Sequence, residues 1–164
     1  MRRVPPDLRR FLEAYDPQIG RLFFAARRAV LVGAPTANEL IYDAYNAVAV
    51  AFSFTQRLSE AFCHVAAYRD HVNLGFNRGA GLADPERLLA GTGKHIRHIQ
   101  LDAPGVLQRP AVHRLIRAAA ADARRAGAAV AGAARPRSIV QPVSARKRRP
   151  PSCTGASRPA DRRR

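Results

Sequence analysis

Ala61-Phe-Cys-His-Val-Ala-Ala-Tyr-Arg-Asp-His-Val-Asn-Leu-Gly-Phe76 reads as two strands and the turn between them. Ala61 to Ala67 and Val72 to Phe76 are rich in apolar, β-branched and aromatic residues, and Tyr68-Arg-Asp-His71 has the length and polarity of a hairpin link. Toward the N-terminus, Leu40 to Tyr45 and Ala47 to Thr55 repeat that composition between short polar pieces. These segments read as a hairpin-connected sheet, although the alanines of Ala44 to Ala51 also suit a helix. Toward the C-terminus, Asn77 to Leu82 is a glycine-containing loop, and Asp84-Pro-Glu86 predicts a short helix stopped by Gly91. His95 to Leu101 then alternates like a strand, with Ile96 and His98 on one face and His95, Arg97 and Ile99 on the other.

Helical periodicity flanks this sheet. Asp7 can cap a first helix with Leu8, Phe11, Leu12 and Tyr15 on one face. Asp16-Pro17 opens a second, in which Ile19, Leu22, Phe23, Ala26, Val30 and Leu31 recur at helical spacing as far as Gly33-Ala-Pro35. Pro110 opens a last helix through Val112, Leu115, Ile116 and Ala119, fading near residue 130. The expected fold is α+β: a mostly antiparallel sheet packed by N-terminal and C-terminal helices in one domain over residues 5–130, followed by a disordered basic tail over 131–164.

The charge is unevenly placed. The 164 residues hold 28 Lys+Arg against 12 Asp+Glu, a net +16. Residues 1–134 carry 18 basic and 11 acidic groups, net +7, and residues 135–164 carry 10 basic and one acidic, net +9. Every aromatic lies between Phe11 and Phe76, and Ile139, Val140 and Val143 are too few to give the tail a core. Within it Arg146, Lys147, Arg148 and Arg149 are candidate contacts for phosphates of nucleic acid or an anionic membrane surface. The bland alternative is a solvated extension, because no aromatic is interleaved for base stacking. No run of eighteen apolar residues supplies a membrane-spanning helix. Leu8 to Tyr15 contains Arg9, Arg10 and Glu13 and does not suit a signal peptide, and two cysteines build neither a disulfide framework nor a four-cysteine zinc site. A reducing cytoplasm is the expected setting.

The tests for chemistry mostly fail. Gly91-Thr-Gly-Lys94 invites comparison with a phosphate loop, but Leu88 stands where a glycine is needed and His95 where a Ser or Thr would reach magnesium. A milder reading holds a small anion with Arg78, Gly91, Gly93, Lys94 and Arg97; the alternative is a helix stop and a turn. On a strand His95 and His98 point to opposite faces, as do Cys63 and His64, so neither a metal site nor a nucleophile and base pair is expected there. Cys63 reads as a small core residue. Asp84 and Glu86 are explained by helix capping. No catalytic residue set can be assigned and no cofactor is implied.

The stretch from Phe62 to Leu101 resembles the YdhG-like family, a group of small bacterial domains of unknown function. The likeness has three pieces: a strand, turn and strand ending in His-Val-Asn-Leu-Gly-Phe76, a loop and short helix with Leu-Ala-Asp-Pro-Glu86, and a Gly-Thr-Gly-Lys94 turn before a strand with Ile-Arg-His98. It extends more loosely over residues 8–117. The resemblance implies a frataxin-like α+β domain, some members being described as iron chaperones for iron-sulfur cluster assembly. Iron delivery calls for hard oxygen ligands, whereas Asp7, Glu13 and Asp16 are interleaved here with Arg2, Arg3, Arg9, Arg10 and Arg21. The resulting expectation is a non-enzymatic module for a small anionic ligand or a protein partner. Iron binding and non-specific nucleic-acid binding through the tail are the alternatives.

Overall fold

The computed structural model describes residues 2–126 and 135–142. Helices α1 (Pro6–Leu12) and α2 (Pro17–Gly33) are followed by strands β1 (Asn38–Asp43), β2 (Val48–Ser53), β3 (Cys63–Ala67), β4 (Val72–Phe76) and β5 (Arg97–Leu101). Helix α3 (Pro110–Arg125) and strand β6 (Ser138–Val140) complete the order. The sheet runs β5-β4-β3-β2-β1-β6; β1 to β5 are antiparallel to their neighbours and β6 is parallel to β1. This is the mostly antiparallel α+β fold that the hydrophobic patterns predict, and the helical alternative for Ala44 to Ala51 gives way to β2.

Local chemistry explains the elements. Asp16 Oδ1 accepts from the Gln18 amide at 2.7 Å and Pro17 sets the first turn, so α2 begins at its capping signal. α1 starts differently: Pro5 precedes it with no side-chain cap, and Asp7 lies in its first turn, paired with Arg10 at 2.9 Å. Strand alternation sorts the sheet into two faces. Val50, Phe52, Cys63, Val65, Leu74, Phe76 and Ile99 point at the helices and form one core with Phe23, Ala26 and Val30 of α2 and Val112 and Ile116 of α3. Gly33 lets α3 approach α2, since a Cβ there would come within 2.7 Å of Ile116 Cγ2. Among the described residues, no helix is long and apolar enough to cross a membrane.

Two expectations are corrected. The segment opening at Asp84-Pro85-Glu86 is not a helix: Arg87 has φ +51°, and Asp84 Oδ2 accepts from the Leu89 amide at 2.7 Å, closing a turn. Seven residues gain little from helical hydrogen bonds alone, and tertiary contacts take the ends. Glu86 bridges Arg109 and Arg114 at 2.9 and 2.6 Å, and Ala90 pairs with His98. Gly91 therefore stops no helix; its φ of +110° serves the loop before β5.

The second correction concerns the domain end, expected near residue 130. Ser138–Val140 form β6 on the edge of β1, with the Glu39 amide donating to Arg137 O and the Gln141 amide donating to Ile41 O, both at 2.8 Å. An edge strand offers unpaired backbone groups to any extended segment, so composition did not forbid the pairing. Ile139 then packs on a small second cluster of Leu40, Ala51 and Ala61. The basic run Arg146 to Arg149 lies outside the described residues.

Glu39, on β1, is fully buried, and its carboxylate is held by Arg27 of α2, itself only 3% exposed, through Nε at 2.6 Å and Nη2 at 2.9 Å. Arg2 Nη1 at 3.3 Å and Ser138 Oγ at 2.7 Å complete the set. Glu39→Ala strands the buried guanidinium and is expected to cost about 3–5 kcal/mol, read as a fall in the urea midpoint at unchanged slope. Replacing both partners (Arg27→Met with Glu39→Leu) is expected to cost less. A double variant as unstable as Glu39→Ala would rule out the stranded-charge explanation.

Candidate functional site

A cleft of about 130 Å³ lies between the turn Leu58–Glu60, the approach to β3 and the C-terminal half of α3. Arg78, just after β4, lines it, together with Ser59, Glu60 and Asp122, over Phe62 and Leu82. Phe62 is held by stacking on Phe54 at 5.2 Å between centroids, and Arg124 of α3 caps the Phe54 ring at 4.3 Å. The floor is thus tied to both α3 and the end of β2.

The charges around the cleft are not equivalent. Glu60 pairs with Arg57 at 3.4 Å and Asp122 with Arg125. The Arg78 guanidinium makes no hydrogen bond or ion pair among the described residues. An exposed guanidinium with no partner, beside apolar walls, fits a carboxylate or phosphate oxygen pair.

The sequence grouped Arg78 with Gly91, Gly93, Lys94 and Arg97, and the structure divides that group. Gly79 presses against β5, where a Cβ would lie 2.6 Å from Arg97 Cβ, so the backbones of residues 78–79 and 97 are neighbours. Their side chains part: Arg78 lines the cleft, whereas Arg97 donates to the carbonyls of Gly93 and, at 2.8 Å, Ile96. Arg97 thereby ties its own loop, Lys94 is exposed on that loop, and the Ala80 amide donates to His95 O at 2.9 Å. Gly91, Gly93, Lys94 and Arg97 are absent from the wall of the Arg78 cleft. The cleft residues Ser59, Glu60 and Phe62 on one segment and Asp122 on another escape sequence reading because only the fold brings the two segments together. The one legible signal is the spacing of Ala119, Asp122, Ala123 and Ala126 on a single helical face.

The histidines also sort by face. Cys63 points into the core and His64 away from it. His64 Nδ1 lies 3.0 Å from Asn77 Oδ1. Burial lowers the His64 pKa, the Asn77 hydrogen bond opposes that, and the charge on His98 lowers it further. His71 sits in the hairpin turn, stacked on Tyr68 and bonded to Asp70 at 2.7 Å. Among the described residues, no three His, Cys, Asp or Glu side chains converge.

No protein-family model, curated protein or solved structure matches the chain.

Burial pushes the Cys63 thiol well above its ordinary value, so it stays protonated and unreactive near neutral pH. Iodoacetamide at about pH 8 is expected to leave the Cys63 peptide unmodified in the native protein and to alkylate it in guanidinium chloride. Mass spectrometry showing rapid native labelling of that peptide would contradict its core placement.

Proposed function

We propose that the chain is a non-enzymatic binding module of the YdhG-like kind whose ligand is a small organic anion seated in the Arg78 cleft. The observation that carries this reading is the guanidinium of Arg78, unpartnered among the described residues, beside an apolar floor, while each carboxylate of the same wall already has its own arginine. Such a site binds one end of a ligand by charge-assisted hydrogen bonds and the other by desolvation. The volume, about 130 Å³, gives room for a short carboxylate. The net charge of +16 raises the local concentration of anions over the whole surface, and the cleft supplies selectivity among them.

The test is an amide chemical-shift titration of the full chain with two- to five-carbon carboxylates and, separately, inorganic phosphate. Carboxylates are expected to move the amides of Ser59 to Phe62, Arg78 and Ala119 to Ala126. Arg78→Met, which keeps the stem and removes the charge, is expected to weaken binding about tenfold to a hundredfold. Shifts confined to Gly91 to Arg97, or undiminished binding by Arg78→Met, would overturn the assignment to the cleft.

A further inference from the structure

Arg78 shares its cleft with charges of the opposite sign. Glu60, from the turn Leu58–Glu60, and Asp122, from α3, line the same space of about 130 Å³, yet among the described residues neither forms an ion pair with the Arg78 guanidinium. Each is restrained along its own segment: Glu60 Oε1 pairs with Arg57 three residues before it at 3.4 Å, and Asp122 Oδ1 pairs with Arg125 three residues after it. These local pairs keep both carboxylates off Arg78 and use one oxygen of each. Glu60 Oε2 and Asp122 Oδ2 accept no hydrogen bond among the described residues. The segment carrying Arg78 is fixed in turn. The Asn77 amide donates to Phe62 O at 3.0 Å, and a Cβ on Gly79 would lie 2.6 Å from Arg97 Cβ. Arg78 therefore stands on the sheet side of the cleft, and Asp122 stands on the helix side, in the last turn of α3, where the negative end of the helix dipole favours a cation.

Resting on the Arg78 reading above, we propose that the cleft takes a small zwitterionic α-amino acid, with its carboxylate on Arg78, its ammonium on Asp122 and Glu60, and its side chain over Phe62 and Leu82. The guanidinium fork donates a pair of N–H bonds to a carboxylate, and an ammonium donates to the oxygens that Asp122 and Glu60 keep free. Opposite charges that line one space without closing on each other complement a ligand that carries both. A plain carboxylate satisfies Arg78 but is repelled by the two acidic groups of the wall, and a plain amine meets the converse. Ala61, Ala119, Ala123 and Ala126 keep the walls low, and the space beside the apolar floor suits a short side chain. Because Glu60, Asp122 and Arg78 are each held by their own segment, the charges are in place before the ligand arrives, which lowers the cost of binding.

The experiment is an amide chemical-shift titration of the full chain near neutral pH with L-alanine, propionate and ethylamine in parallel, the last two each keeping one of the amino acid's two charges. L-alanine is expected to bind about tenfold more tightly than propionate, and ethylamine to leave the cleft amides unmoved. Asp122→Asn is expected to weaken L-alanine about tenfold and to tighten propionate, because it removes a negative charge from the wall. Glu60→Gln is expected to act in the same two directions by a smaller factor, and Arg78→Met to weaken both ligands. Thermal midpoints without ligand establish that each variant is folded. Propionate bound at the cleft with L-alanine no tighter, or L-alanine affinity unchanged in folded Asp122→Asn and Glu60→Gln, would overturn the amino-acid assignment and leave the anion site standing. Arg78 and Ser59 to Phe62 amides that move with neither L-alanine nor propionate would overturn both.

Discussion

A single buried carboxylate sets the frame of this molecule. Removing Glu39 from water is costly unless its oxygens are fully satisfied, and the partners that satisfy them come from separate parts of the chain. Arg27 brings α2 onto β1, Arg2 brings the N-terminal segment beneath the same strand, and Ser138 brings β6 to its edge. Arg2 extends the anchoring to the carbonyls of Pro35 and Ala37, and Arg27 to that of Arg3. Apolar burial would tolerate small slips of the helices over the sheet. A bidentate guanidinium pair with bonds of 2.6 and 2.9 Å does not.

From that frame the two faces of the sheet acquire different chemistry. One is sealed by α1, α2 and α3 over an apolar core that also encloses the Arg27–Glu39 pair. The other bears Ala51, His64, Ala66, Asn73, Gly75, His98 and Gln100, where small side chains leave space for the large rings between them. At the rim, the C-terminal half of α3 stands off from the turn Leu58–Glu60 and leaves the Arg78 cleft open. The placement of α3 there depends on Gly33 against Ile116 and on Arg124, which bonds Thr36 and covers Phe54.

Selectivity for one anion at one place on a strongly basic chain is physically possible because the relevant fields are local. In the proposed anion site the Arg78 guanidinium would act at contact distance, where its having no partner among the described residues matters more than the total charge. The two carboxylates at the cleft stay out of the competition because Arg57 and Arg125 already occupy them.

Local chemistry alone determined much of this protein. The strand Val72–Phe76 and the helix Pro17–Gly33 were legible to the residue, because period-two and period-3.6 patterns and the Asp16-Pro17 cap depend only on neighbours in sequence. The segment after Asp84 was misread because a short capped stretch can satisfy the same carboxylate in a turn, and only the start of α3 and Arg109 before it supplied the arginines that draw Glu86 away. β6 was invisible because its stability belongs to the open edge of β1 and to Glu39, not to the composition of residues 138–140. The anion candidates were half legible: arginines are easy to count, but which of them is already spent on a carbonyl or a carboxylate is a property of the folded neighbourhood. The seat of the His64 ring lies furthest from sequence reading, since strand register sets this β3 imidazole over the missing side chain of Gly75 on β4.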